Sequence, residues 1–165
     1  VINNVVLGAR LRGTSPDFGR AHEMLRAVGL ADKIHARPAQ LSSGQRQRVA
    51  LARTLMEDRP IVLMDEPFSA LDALTRHHIQ ALAANLLRGR TVVLVTHDPQ
   101  EALRIGDQIR ILKGSPATLG DPIIAPGATP RDPIDPVINT LHHELLAALG
   151  VSNSPDNDFE TGAAL

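Results

Sequence analysis

The chain contains no cysteine, tryptophan or tyrosine, and its only lysines are Lys33 and Lys113. Without cysteine, disulfide frameworks and thiolate metal sites are excluded. Phe18, Phe68 and Phe159 are the only aromatics, so there is no platform on which the bases of a single strand could stack. Charge of one sign is also lacking. A formal net charge of −1 supplies no general attraction to nucleic acid or an anionic membrane. Long apolar runs are missing as well: none exceeds five residues, against roughly 20 for a bilayer span. The first residues, VINNVVLGARLRG, carry neither a charged leader with a long apolar run nor a small-residue cleavage pattern, so a signal peptide is not expected. What remains is 165 residues, enough for one domain with a real core, and a soluble cytoplasmic protein is the expectation.

Periodicity divides the chain. Residues 15–57 read as helical, with Ser15-Pro16 as a start, Ala21, Met24, Leu25 and Val28 on one face, and Gly29 as a stop. A second helix follows Ser42-Ser43-Gly44, with Val49, Ala52, Leu55 and Met56 on one face and Arg46, Arg48 and Arg53 on the other. That basic face is expected to be solvated. Residues 61–64 and 91–96 are short apolar runs that suit strands buried on both faces. Between them lies a helix capped by Asp72, with Ile79, Leu82, Ala83 and Leu86 inward and Gly89 at its end. A helix over 99–105 and a strand over 109–112 complete a strand–helix alternation that predicts a parallel sheet. Six of the twelve prolines fall between positions 116 and 136, which predicts an extended linker. A helix over 137–149 then carries Ile138, Leu141, Leu145 and Leu149 on one face, and the last residues are polar and expected to be disordered. No internal repeat is present.

Three segments carry chemistry. In LSSGQRQRVALARTL, residues 41–55, small residues open onto a helix start, where backbone N–H groups and the helix dipole favour a phosphate. A capped helix start with no ligand would read the same way from the loop alone. In IVLMDEPFSALD, Asp65 and Glu66 close an apolar strand, the edge at which parallel sheets bind ligands. Asp65 is placed to hold Mg²⁺, and Glu66 to polarise an attacking water as general base. A solvated acidic strand end is the bland alternative. In TVVLVTHD, His97 ends the next strand; alone, such a histidine is more often a surface residue than a catalytic one. The pairs His77-His78 and His142-His143 are neighbours that do not share a helix face, which favours exposed surface over a metal site.

In this order and spacing, the three segments resemble the back half of an ATP-binding-cassette (ABC) ATPase. The resemblance covers about residues 1–113 and implies an α/β, P-loop NTPase fold with a helical subdomain, followed here by a proline-rich tail and a helix. It divides the chain into a helical subdomain with the signature loop (1–57), part of the RecA-like core (58–113), a linker (114–136), a C-terminal helix (137–151) and a disordered end (152–165). It implies ATP and Mg²⁺ as ligands. Ser42, Ser43, Gly44 and Gln45 would form the signature loop, which contacts the terminal phosphate of an ATP held by a second ATPase subunit. Ser43 stands where the family pattern LSGGQ has glycine. Asp72 would be the D-loop aspartate that couples the two subunits, a role compatible with capping a helix. His97 would be the switch histidine that touches the γ-phosphate and keeps water and Glu66 in line.

The family's P-loop, G-x-x-x-x-G-K-[ST], does not occur in these residues, and no glycine precedes a lysine. The α/β fold is therefore expected to be incomplete, lacking the strand that carries that loop, and the chain is expected to be an inactive truncated fragment on its own. EALRIGDQIRILKGSPATL, with the helix ending LHHELLAALG, most resembles importer ATPases of the nitrate/sulfonate/taurine group, which includes thiamine-precursor carriers. Transmembrane permease subunits, a second ATPase subunit and, indirectly, a solute-binding protein are the implied partners, with no nucleic acid. The implied location is cytoplasmic and peripheral at the membrane, docked through residues 1–57. Two alternatives stand beside this: a non-transport cassette ATPase acting on DNA or ribosomes, and a non-catalytic module offering its signature loop to an intact partner. The first usually carries coiled-coil arms or basic insertions, and the chain has neither.

Overall fold

The structure, a computed structural model, describes residues 1–150; the expected disordered end lies outside the described residues. Two short helices, α1 (Ile2–Val5) and α2 (Leu7–Leu11), lead into α3 (Phe18–Ala27). The cap of α3 is Asp17, whose carboxylate accepts from the Arg20 amide at 2.8 Å, and not the expected Ser15-Pro16. A carboxylate both satisfies an orphan N–H and complements the helix dipole. The chain leaves α3 through Gly29, whose φ of 69° suits a residue without a Cβ. After two single 3₁₀ turns, α4 (Ser43–Met56) packs Val49, Leu51, Ala52 and Leu55 against α1 and α3.

The basic face of α4 is solvated only in part: Arg46 is exposed, whereas Arg48 and Arg53 are half-buried. Arg48 donates to the carbonyl of Val28 at 2.9 Å, Arg46 to that of Leu41 at 2.6 Å, and Arg53 to Asn4 Oδ1 at 3.2 Å. Arg48 thus serves the carbonyls left over at the end of α3. Long guanidinium side chains reach neighbouring elements from positions that periodicity alone assigns to water.

The central strands β1 (Ile61–Asp65) and β2 (Thr91–Val95) pair in parallel, from Ile61 opposite Thr91 to Asp65 opposite Val95. The crossover between them is α5 (Ala73–Leu86), and α6 (Pro99–Ile105) follows β2. Burial on both faces is not observed. Val62 and Met64 point into the core, while Ile61 and Leu63 are 61% and 75% exposed, and Val93 and Val95 are exposed too. Alternate residues of a strand point to opposite faces, and the described residues cover only one face of this pair. The core on that face unites Val5, Leu25, Val49, Leu55, Phe68, Leu71, Ile79 and Ala83.

The expected strand over 109–112 splits in two. β3 (Gln108–Ile109) pairs antiparallel with β6 (Ile123–Ile124), and β4 (Leu112–Lys113) with β5 (Thr118–Leu119). These strands do not extend the parallel sheet. The proline-rich stretch is accordingly not an extended linker, since it folds back and ends in α7 (Pro136–Ala148), which packs on α6. Leu103, Ile109, Ala125, Ile138 and Leu145 form a second core there.

What pins this segment is Arg131, only 5% exposed. Its guanidinium donates to the carbonyls of Leu103 (2.9 Å), Gly106 (2.8 Å), Ala125 (2.7 Å) and Pro126 (2.7 Å). Its own carbonyl accepts from Arg104 at 2.9 Å. One side chain therefore satisfies the end of α6 and the chain that returns across it. Arg131→Met keeps the stem and strands four acceptors; the C-terminal core should lose about 3 kcal/mol. Urea unfolding checks this, and an unchanged midpoint would mean that water replaces the guanidinium without cost.

Candidate functional site

The site is built on the carboxyl end of β1. Glu66, the next residue, takes a left-handed backbone with φ of 46°, a conformation that costs a side-chain-bearing residue about 1–3 kcal/mol. Hydrogen bonds on every side offset that strain. The Glu66 amide donates to the Val95 carbonyl at 2.9 Å. Its carbonyl accepts from Gln47 Nε2 at 2.7 Å and from the Ser69 hydroxyl at 3.0 Å. Its carboxylate Oε1 accepts from the His97 amide at 2.9 Å and faces His97 Nδ1 at 2.7 Å. Parallel register sets this contact, because Asp65 lies opposite Val95 and each strand end then delivers its next residues to the same edge.

His97 is 79% exposed at its side chain. The Glu66 carboxylate, chiefly through the direct hydrogen bond, holds its imidazole above the usual histidine range, with Asp98 and Glu101 adding to the effect. Asp65, at the same edge, is exposed, and its carboxylate takes no hydrogen bond or ion pair among the described residues. A hard, free carboxylate oxygen fits Mg²⁺, which is usually held by one or two carboxylates together with phosphate oxygens and water. Asp72 caps α5 by accepting from the Thr75 amide at 3.0 Å, and that amide holds the carboxyl below its ordinary range.

At the start of α4, Ser42 Oγ accepts from the Gln45 amide (3.2 Å) while Gln45 Oε1 accepts from the Ser42 amide (3.0 Å). This reciprocal capping box fixes the loop ahead of a 14-residue helix whose positive end faces outward. Ser43 is exposed. Gly44 is a point of close approach: a Cβ there would lie 2.8 Å from the Ala70 carbonyl oxygen. The loop at 42–45 and the turn before Asp72 are therefore pressed together. No hydrogen bond among the described residues joins the 42–45 loop to Asp65, Glu66 or His97.

Sequence reasoning missed Gln47. Besides the Glu66 carbonyl, it reaches the Ser69 hydroxyl at 3.2 Å and accepts from the Ala70 amide at 2.9 Å. One amide side chain on α4 thus holds the whole turn from Glu66 to Ala70. Its signal was present: Gln47 stands four residues beyond Ser43 and three beyond Gly44, on the same helix face. Arg76 was missed too; it donates to the carbonyls of Leu71 (3.0 Å) and Phe68 (3.4 Å).

A parallel strand pair joined by a crossover helix and backed by a helical layer is an α/β arrangement, and its acidic carboxyl edge lies where such sheets bind ligands. In fold the chain is similar to a solved inward-facing metal-chelate type ABC transporter, with a TM-score of 0.58 and 23% identity over 73% of this chain and 51% of that one. The family model described as ABC transporter matches residues 4–69. An ABC transporter ATP-binding protein of Haemophilus influenzae is 46% identical over 91% of this chain and 65% of its own length. The aliphatic sulfonates import ATP-binding proteins SsuB 3 of Nocardia farcinica and SsuB of Delftia acidovorans are each 44% identical, over 99% and 92% of this chain. The chain spans 61–65% of the length of these three relatives. In sequence the chain is similar to the ATP-binding subunits of ABC transporters. Among the described residues, no helix is long and apolar enough to cross a membrane.

The His97–Glu66 contact has a pH signature. Because the folded pKa of His97 is raised above its ordinary 6.5, the contact contributes stability that is full below that value and is lost as pH rises through the folded pKa. An NMR titration should show His97 titrating above 6.5, and Glu66→Gln should bring it back toward that value. An unmoved titration would show that the carboxylate does not hold the ring in solution.

Proposed function

We propose that this chain supplies the signature-loop, Asp-Glu, D-loop and switch-histidine portion of the ATP-hydrolysing subunit of an importer. The observation that carries the reading is Glu66, held in a left-handed turn beside Asp65 with its carboxylate against His97. A carboxylate oriented by a histidine at the carboxyl edge of a parallel sheet suits a general base that removes a proton from an attacking water. His97 orients that carboxylate and stands beside the position a terminal phosphate would take. Asp65 would hold Mg²⁺, which supplies charge neutralisation on phosphate oxygens when bound. Ser42, Ser43, Gly44 and Gln45, at the positive end of α4, would meet the terminal phosphate of an ATP anchored by a second subunit. Asp72 would lie at the contact between the two subunits.

The relatives described as aliphatic sulfonates import proteins support a small sulfonate-type solute. The chemistry of this chain never touches that solute. Permease subunits docked on the helical layer of residues 1–57, and through them a solute-binding protein, are the proposed partners, which sets the chain at the cytoplasmic face of a membrane. These 165 residues contain no phosphate-cradling P-loop, and by themselves they should not retain Mg-ATP. A calorimetric titration checks this; saturable binding would overturn it.

In a subunit that also carries the P-loop, Glu66→Gln should lower hydrolysis about 10²–10⁴-fold while ATP still binds. Unchanged turnover would remove Glu66 as the base. Ser42→Arg should abolish ATP-driven association of two subunits, read by analytical ultracentrifugation. Normal association would remove the signature loop from the phosphate.

A further inference from the structure

Two helices start at the functional loops. α5 is capped by Asp72, and α6 by Asp98, the residue after His97. Polar side chains join them in two rungs. In the outer rung, the Arg76 guanidinium binds the carbonyls of Leu71 and Phe68 and lies 3.7 Å from the Asp98 carboxylate. The same carboxylate caps α6, accepting from the amides of Gln100 (2.9 Å) and Glu101 (3.3 Å). The inner rung lies one turn further along both helices. There Gln80 Nε2 donates to Glu101 Oε2 at 3.2 Å, and both side chains are 4% exposed.

Apolar residues often replace a buried polar pair without loss of stability, whereas the amide–carboxyl pair of the inner rung specifies one relative position of α5 and α6. Burial pushes the Glu101 carboxyl up, opposed by the Thr96 hydroxyl and the Gln80 amide. The Thr96 hydroxyl in turn accepts from the Asp98 amide at 3.1 Å. The turn that carries His97 is therefore braced within itself by Thr96 and held from the side through Asp98, whose carboxylate faces Arg76 of α5.

We propose that Arg76 and Gln80 are positioning residues that couple the Asp72 loop to His97, so that a displacement of that loop alters how His97 meets Glu66. The outer rung transmits through a charge contact that bridges the loop carbonyls and the cap of α6. The inner rung keeps the two helices in register while that contact moves. Neither residue touches nucleotide. The catalytic consequence rests on the function proposed above; the coupling itself does not.

Hydrogen exchange on the 165-residue chain tests the coupling without nucleotide. In Arg76→Ala, the amides of His97, Gln100 and Glu101 should exchange about tenfold faster, although the altered residue is on the other helix. The amides of Leu25 and Ala52, in the helical layer, should keep their rates and so report an intact fold. Unchanged exchange at His97 and Gln100 would overturn the coupling. Should Arg76→Ala unfold the chain, Gln80→Leu keeps the side-chain volume and removes only the inner donor, with the same amides as readout. In a P-loop-containing subunit, Arg76→Ala should lower kcat several-fold with the KM for ATP unchanged, and Arg76→Lys should restore part of it. A hydrolysing wild type with an unaffected Arg76→Ala variant would overturn the catalytic consequence. A wild type that never hydrolyses ATP would instead overturn the proposed function, leaving the coupling to be decided by exchange.

Discussion

Glu66 sits at the end of β1 with φ of 46°, and its amide, carbonyl and carboxylate are engaged by β2, by α4 and by His97 respectively. A left-handed conformation at a glutamate persists only where the surroundings over-determine it. Here that requirement ties three parts of the chain together. Gln47 must come from α4, so the helical layer has to stand against the strand end. Val95 and His97 must come from β2, so the parallel register cannot slip. Once those contacts form, the Asp-Glu pair and the histidine meet at one edge, with the turn that leads to Asp72 tied to the same helix. The unusual backbone and the Glu66–His97 contact are therefore one feature.

Polar contacts do much of the remaining positioning. The apolar core lies on one face of the strand pair, whose other face still shows Ile61 and Leu63. Hydrophobic burial is non-directional, so it brings elements together without fixing their loops to a fraction of an ångström. Fixed positions come instead from forked or amide side chains that bind backbone carbonyls. Gln47 does so at the Glu66 turn, Arg48 at the end of α3, Arg76 at the Asp72 loop and Arg131 at the end of α6. Arginine suits these positions better than lysine. A planar fork can satisfy several carbonyls at once, and an ammonium cannot match that geometry.

Much of the fold was legible along the chain. The apolar stripe of α4, the Asp72 cap, the crossover helix and the strands at 61–65 and 91–95 follow from periodicity and capping. Those are local properties, and neighbouring residues suffice to specify them. The C-terminal third was misread because prolines that mark an extended linker in isolation here shape a returning chain. What reverses the reading is Arg131, whose acceptors lie up to 28 residues away. No window of sequence shows such a partner.

By itself the sequence determined the family resemblance, the order of the loops and the residue types at the strand ends, because motif spacing and hydrophobic period are written in neighbouring residues. Only the tertiary structure decided that Glu66 is strained and faces His97, that Gln47 and Arg76 hold the loops, and that one face of the strand pair is bare among the described residues. Those facts depend on which distant backbone groups a side chain meets after folding. Hydrogen-bond partners are set by three-dimensional proximity, which a linear pattern constrains but does not specify.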